Sequence, residues 1–422
     1  MSCLRWSALI SLIWLGTACR DDTNAVVDPS PAGPQATLSH DVGTSAALTF
    51  SQLAAGWRTT CGVTTDNRAF CWGQDILGEV GNGTEVPEHC SDVPDCITRP
   101  VAVVGGLNFR NVSTGRTLSC GVTIYSRAYC WGQNGVGELG IGDKTAPGIC
   151  ILNDGSETTC SSRPLAVSGG LLFRAVSTSF VFACGVTTDD RAYCWGWNTE
   201  GELGDGTTTQ RSKPVAVAGG LRFAQVSVGE SHACGLTTAG AVYCWGENIY
   251  GQLGDSTHVT RRLRPVRVAG GRTYRQVDAG GVHTCAVTAS YRAYCWGNGQ
   301  SGQLGNNKTS GSYWPRAVSG GLSFRRVTAG EAHTCAETTA SRAYCWGEGG
   351  ALGNGTFDTR LTPTAVAGGL LFSQVTAGAQ TTCGKTSAGV AYCWGSNSDG
   401  QVGDGLNDFG YRLTPVPVAS PD

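Results

Sequence analysis

The chain has 422 residues, 62 glycines, 20 cysteines and a formal net charge of −2. A charge so close to zero supplies no long-range field to draw in nucleic acid or an acidic surface. Twenty cysteines would be unusual in a reducing cytoplasm, and that much glycine points to many short strands joined by tight turns.

Residues 1–18 read as an export signal of the lipoprotein type. Arg5 gives a positive start, and the apolar run from Trp6 to Leu15 is too short to span a bilayer as a permanent helix. Gly16-Thr17-Ala18 places small residues before Cys19, which on this reading becomes the lipidated first residue of the mature chain. Cleavage without lipidation, or a buried core helix, are the alternatives. Residues 19–46 are rich in Asp, Pro, Ser, Ala and Thr and lack apolar periodicity, so a flexible tether is expected.

From residue 47 to 422 one phrase recurs seven times: a cysteine, nine residues, a second cysteine, then Trp-Gly. The pairs are Cys61/Cys71, Cys120/Cys130, Cys184/Cys194, Cys234/Cys244, Cys285/Cys295, Cys335/Cys345 and Cys383/Cys393. The tryptophans after them recur at intervals of 48 to 64 residues. A strand-rich repeat of this period predicts a ring or stack of β units. The repeat from Gly220 to Val268 serves as the example. Leu221 to Val226 alternates, with Leu221, Phe223 and Gln225 on one side. His232 to Thr237 and Ala241 to Trp245 follow as a hairpin. Its three-residue loop, Thr238-Ala239-Gly240, calls for a left-handed last residue. Asn67, Ser126, Asp190, Tyr291, Ser341 and Gly389 take that place elsewhere, Tyr291 with the poorest fit. This loop length sets Cys234 opposite Cys244 and Gly235 opposite Tyr243. A glycine-rich loop such as Gly251-Gln252-Leu253-Gly254 comes next, and a proline-led strand, Pro265 to Val268, closes a unit of four strands.

Fourteen cysteines fall in the repeats. Cys90/Cys96 and Cys150/Cys160 pair locally in the two longest inter-repeat loops, giving nine expected disulfides. Metal binding is the weaker alternative, since no Cys-x-x-Cys spacing occurs. The acids after some glycine-rich loops, Asp205, Asp255 and Asp404, are too sparse for a calcium loop.

The pattern Val-x-x-Gly-x-x-His-x-Cys-x-x-Thr, then Tyr-Cys-Trp-Gly, Gly-Gln-Leu-Gly and Pro-x-x-Val is most complete from Val277 to Gly305. It resembles the repeat of the regulator of chromosome condensation family, in the form of a bacterial, exported, disulfide-rich member (an alpha-tubulin suppressor-like propeller). The resemblance spans residues 47–422 and implies an all-β, seven-bladed β-propeller with four-stranded antiparallel blades. The eukaryotic namesake is a nucleotide exchange factor that binds chromatin, and an exported chain would meet neither partner. The plant ultraviolet-B photoreceptor of the family repeats Gly-Trp-Arg-His-Thr. Here Gly56-Trp57-Arg58-Thr59-Thr60 is a single partial copy. A secreted bacterial member inhibits β-lactamases through loops of one face.

Alternating strand directions sort each repeat between two rims. The first turn and the loop after Trp-Gly open on the first rim, with Trp57, Trp197, Tyr250, Tyr313, Trp314, Phe357, Phe409 and Tyr411. These aromatics on loops of a rigid scaffold are the expected partner-binding residues. The second rim gathers Arg68, Arg127, Arg191, Arg292 and Arg342 at hairpin tips. His232, His283 and His333 recur at one position in successive repeats, so they stand apart around a ring and a hydrogen-bonding role is expected. No catalytic, cofactor or metal site is expected, although carboxylates meeting in a channel would support a hydrolase or lyase. The reading is a monomeric, non-catalytic scaffold. It would bind protein rather than nucleic acid, and touch the membrane only through its lipid. Its expected place is the outer membrane or cell surface, otherwise the periplasm or medium. Inhibition of a secreted enzyme and nucleotide exchange are the alternative functions.

Overall fold

A computed structural model describes residues 47–84, 96–152, 154–406, 408 and 410–421. The segments read as signal and tether, with Cys19, lie outside the described residues, as do Cys90 and Phe409.

Seven antiparallel sheets succeed one another along the chain, each built from one repeat. In the fourth blade the strands are Phe223–Val228, His232–Thr237, Val242–Glu247 and Arg261–Arg267, hydrogen-bonded in that order. The second blade departs from four strands. Its long loop folds into a hairpin, Gly148–Ile151 against Glu157–Ala166, which adds a fifth.

Loop chemistry sets the hairpin register as expected. All seven three-residue loops end in a left-handed residue, Tyr291 included at φ 64°. The two cysteines of every repeat are directly opposite partners. They form seven hairpin disulfides: Cys61–Cys71, Cys120–Cys130, Cys184–Cys194, Cys234–Cys244, Cys285–Cys295, Cys335–Cys345 and Cys383–Cys393. Their Cα atoms lie only 4.0 to 4.1 Å apart, as facing positions of an antiparallel pair dictate. Cys150–Cys160 makes an eighth bridge, across the extra hairpin. Eight of the nine expected bridges thus lie among the described residues. The ninth expected pair, Cys90/Cys96, falls partly outside them: Cys96 stands half-buried just before the strand Ile97–Ala102, and Cys90 lies outside the described residues.

The first strand corrects the simple alternation. A bulge between Phe223 and Gln225, repeated in every blade, inserts one residue. An extra residue reverses the facing of every later one in the strand. Phe223 and Val226 are therefore the buried pair, and Gln225 turns away from the core. The small residue opposite each Tyr or Phe also has a different cause from simple cross-strand pairing. A Cβ at Gly235 would lie 2.5 Å from the Phe223 ring, so in five blades glycine makes room for the aromatic ring of the first strand.

Blades are joined by the Trp-Gly and glycine-rich motifs together. Each tryptophan is fully buried, and the apolar anchor of each glycine-rich loop, Val80 or Leu253 for example, is equally so. In six of the seven, all but Trp195, the indole Nε1 donates to a carbonyl in the preceding blade's loop: Trp131 to Glu79 (2.7 Å), Trp245 to Glu202 (2.8 Å), Trp296 to Gln252 (2.9 Å). Trp72 does the same with Gln401 O at 3.0 Å, joining the last blade to the first. The first and last strands share no sheet. Side chains and loops close the ring, with Phe50 N donating to Gly389 O (2.8 Å) and Gln374 Nε2 to Leu53 O (2.7 Å).

The three histidines belong to the same interfaces. His232, His283 and His333 are buried, and each Nε2 meets a threonine hydroxyl of the next blade: Thr284 (2.9 Å), Thr334 (2.8 Å) and Thr382 (2.8 Å). Those hydroxyls donate onward to Gln252, Gln303 and Ala351 carbonyls, so the histidine Nε2 must carry the proton. Burial pushes His232 and His283 down to about 3 and His333 to about 4, which keeps them neutral.

Candidate functional site

The first turns of the blades meet at the axis on the first rim. Gly56, Gly115, Ser179, Gly229, Gly280, Gly330 and Gly378 hold one equivalent position. Backbone bonds run from turn to turn: Trp57 N to Gly115 O (3.0 Å), Arg116 N to Ser179 O (3.0 Å), Gly281 N to Gly330 O (3.0 Å) and Ala379 N to Gly56 O (3.1 Å). A Cβ on Gly378 would sit 2.0 Å from Gly56 O. Glycine is needed here for close approach, and the seven turns line a single depression at this end.

The residue after each glycine therefore stands on the axis, facing out. Trp57, Arg116 and Phe180 form one group. The Arg116 guanidinium lies 4.8 Å from the Trp57 ring centre and 4.1 Å from that of Phe180, and the rings meet edge to face at 6.1 Å. A cation over aromatic faces is favourable, more so when partly desolvated. Across the axis stand Glu230 and Glu331, lining the same depression of about 120 Å³. Burial pushes both carboxyls up. Arg116 opposes this in both, while Glu230 adds to it in Glu331. Burial, then Arg58, pushes Arg116 down, against Glu230 and Glu331. A second depression of about 370 Å³ continues from Trp57, Arg116 and Phe180 past Ile76 and Leu77 to Leu152 and Asp154 of the extra hairpin. The hairpin is pinned by Cys150–Cys160 and exposes Ile149.

Of the residues expected to bind a partner, only Trp57 joins this group. Tyr313 bonds through its hydroxyl to Ile249 O (3.0 Å) and packs on His258, near exposed Tyr250. Phe357 and Tyr411 form an exposed edge-to-face pair at 5.2 Å. Trp314 is exposed with Arg316 at 4.9 Å, and Trp197 packs half-buried on its own blade. They are distributed around the ring because each repeat is rotated from the last. Sequence reasoning misses Phe180 and Arg116. Their shared register with Trp57, immediately after the Gly or Ser that recurs in each first turn, is the available signal. Asp205, Asp255 and Asp404 cap their own loops and pair with Arg211, Arg262 and Arg412.

The net charge conceals a segregation. Hairpin tips, inter-blade links and the starts of the innermost strands carry Arg68, Arg110, Arg127, Arg174, Arg191, Arg222, Arg272, Arg275, Arg292, Arg325, Arg326 and Arg342. Against these, among the described residues, stand Asp66, Asp189, Asp190 and Glu337. Some tips are locally engaged: Arg68 stacks on Phe70 and Arg127 donates to Gly170 O. The exclusion of long-range fields from total charge therefore holds for the whole molecule and fails for this rim.

A family model described as the RCC1-like domain matches residues 153–421, and the Regulator of chromosome condensation (RCC1) repeat matches residues 50–78. The chain belongs to the RCC1-like family. The Ultraviolet-B receptor UVR8 of Arabidopsis thaliana is 30% identical over 140 residues, 33% of this chain and 28% of that protein. The chain thus spans under a third of that relative's length. Yeast RCC1 (Prp20), solved bound to Kap60, superposes with a TM-score of 0.70 at 19% identity, covering 94% of this chain and 91% of that one. Human WBSCR16 gives 0.68 at 20%, covering 79% and 86%. At these identities the structural likeness speaks for the RCC1 propeller fold alone. RCC1-like propellers commonly mediate protein binding, and eight disulfides fit an oxidising, exported environment.

Proposed function

We propose that this chain is a non-catalytic protein-recognition propeller of a bacterial cell envelope, exported by residues 1–18 and tethered through a lipid on Cys19. Its partner docks on the first rim. The observation that carries the reading is the Trp57–Arg116–Phe180 group on the axis, opposite Glu230 and Glu331 and continuous with the groove toward Leu152. Aromatics and arginine at the centre of a surface are the residue types that dominate binding energy. The yeast RCC1 neighbour, solved with a protein partner, supports the class of role. Inhibition of a secreted enzyme is a second reading, favoured by the disulfide-pinned hairpin with Ile149 and Ile151 exposed at its edge.

Cross-linking on intact cells, followed by mass spectrometry, tests the assignment. The full chain should yield a partner that is lost in W57A/F180A and retained in R127A, which alters the opposite rim. Retention in W57A/F180A, with melting unchanged, refutes the docking face. Failure of labelled palmitate to enter the chain, with loss of labelling in C19A as the control, refutes the tether.

A further inference from the structure

Toward its other end the channel is lined by a clamp that four blades share, while the second, third and sixth carry Asn111, Ala175 and Arg326 in its place. Gln52, Gln225, Gln276 and Gln374 each reach across to the backbone of the next blade. Gln276 Nε2 donates to Val327 O (2.9 Å) while its Oε1 accepts from Val327 N (3.1 Å). The sixth blade carries Arg326 in this place, and a guanidinium cannot accept a hydrogen bond. Glu337, the register partner of Arg326, takes over and accepts from Val375 N. Its other oxygen is held by Arg325 at 3.1 Å. Position 337 is valine or leucine in the first five blades (Val63, Val122, Val186, Leu236 and Val287), so Glu337 is the compensation that releases Arg326.

Arg326 is exposed to the channel and has no hydrogen-bond or ion-pair partner among the described residues. The next blade places Lys385 at the position of Glu337, and it lines one channel cavity with Arg326. Its Nζ donates to Ser373 Oγ at 3.0 Å. Burial depresses the lysine; Glu337 opposes this and Arg326 adds to it. Glu337 is already occupied by Arg325 and Val375 N. Two cations therefore face a channel cavity of about 510 Å³ together with Asp278, which stands on the neighbouring blade and bonds Ala329 N of the Arg326 strand. An adjoining cavity of about 730 Å³ shares Asp278 and Arg326 and adds Arg275 and Arg325. Asp278 accepts from Ser227 Oγ (2.9 Å) and Ala329 N (2.9 Å) and retains capacity for another hydrogen bond.

We propose that this channel is a ligand site for a small hydroxylated monocarboxylate of the uronic or aldonic acid class, with Arg326 and Lys385 on the carboxylate. Arginine suits a carboxylate because its fork matches two oxygens. Asp278 exchanges hydrogen bonds with hydroxyls and disfavours a second negative charge, which selects against phosphate. Entry is from the arginine-rich rim, where Arg275 and Arg325 line the adjoining cavity.

Calorimetric titration of the purified full chain with galacturonate, galactose and inorganic phosphate tests this. Galacturonate should bind saturably, and galactose should not. R326Q/E337V, which restores the pairing of the other blades, should weaken galacturonate binding more than tenfold with melting retained. K385V, which installs the residue of four other blades, should weaken it as well and serves if the double variant does not fold. No binding of galacturonate, tighter binding of phosphate, or equal binding by R326Q/E337V or K385V each overturns the proposal.

Discussion

Replacing Glu138 or Glu202 by glutamine should stabilise the protein near neutral pH and do nothing in acid. Both side chains are buried in glycine-rich loops, where Glu202 Oε2 accepts from Glu200 N (2.9 Å) and Glu138 Oε2 from Val136 N (2.8 Å). Blades four, five and seven use Gln252, Gln303 and Gln401 for the same bond, to Tyr250, Ser301 and Asp399 N. The swap is therefore isosteric and already present in this fold. Burial pushes both carboxyls up from 4.5 to about 7. A folded-state value above the unfolded one means that the folded protein holds a proton the unfolded chain has released. Stability is then unaffected below about pH 4.5 and falls by about 1.4 kcal/mol per pH unit until about pH 7, a total of about 3 kcal/mol for each group. Chemical denaturation with disulfides intact, at about pH 4 and about pH 8, should show each glutamine variant equal to the parent in acid and more stable by about that amount in base. An equal gain at both pH values, or no gain at high pH, would refute burial of a protonated carboxyl.

The same interfaces set four further outcomes. Asp75 replaces the asparagine of other blades and is pushed up to about 7 by burial, so D75N should show the same pH-dependent gain in the denaturation series. The histidines have the opposite sign: their folded values lie below the unfolded 6.5, so stability should fall as pH drops from about 6.5 toward 3, by about 1.4 kcal/mol per unit for each. H283Q should therefore move the acid-unfolding midpoint, and an unmoved midpoint counts against a neutral buried imidazole. G378A forces a Cβ onto Gly56 O and should cost about 1–3 kcal/mol by thermal or chemical unfolding. Removing one hairpin bridge as C234A/C244A should cost about 2–3 kcal/mol at most in the same assays, because the loop it closes is short.

What the sequence disclosed was whatever repeats through local chemistry. A three-residue loop with a left-handed last residue sets Cys234 against Cys244 without reference to any other blade, and even Tyr291 obeys it. The bulge at Phe223 and Gln225 stays hidden because it needs no special residue and simply reverses the facing of later positions. The role of Gly235 is half legible: smallness recurs, but its reason is the Phe223 ring on a strand that the hairpin pattern alone does not place. The axial meeting of the turns is illegible because each Gly-x-x turn looks like an ordinary connection until seven of them converge. For the same reason Trp57 stands out by its size, while Phe180 and Arg116, which complete its group, do not.

The two ends of the ring differ because single blades depart from otherwise identical positions. On the first rim the position after the turn glycine carries no packing duty, so Trp57, Arg116, Phe180, Glu230 and Glu331 can vary with little effect on the fold. In the channel the clamp position carries a duty in the four glutamine blades, although the third blade has Ala175 there. Its replacement by Arg326 leaves Val375 N in need of an acceptor, and a buried donor left unpaired costs about 1–3 kcal/mol. Glu337 supplies that acceptor only by burying a charge, which Arg325 then offsets. Three coordinated residues maintain one exposed guanidinium where a single glutamine would satisfy the fold. The arrangement adds nothing to the ring's own cohesion, which is why the channel end, and not the more aromatic rim, makes the stronger physical case for a small ligand.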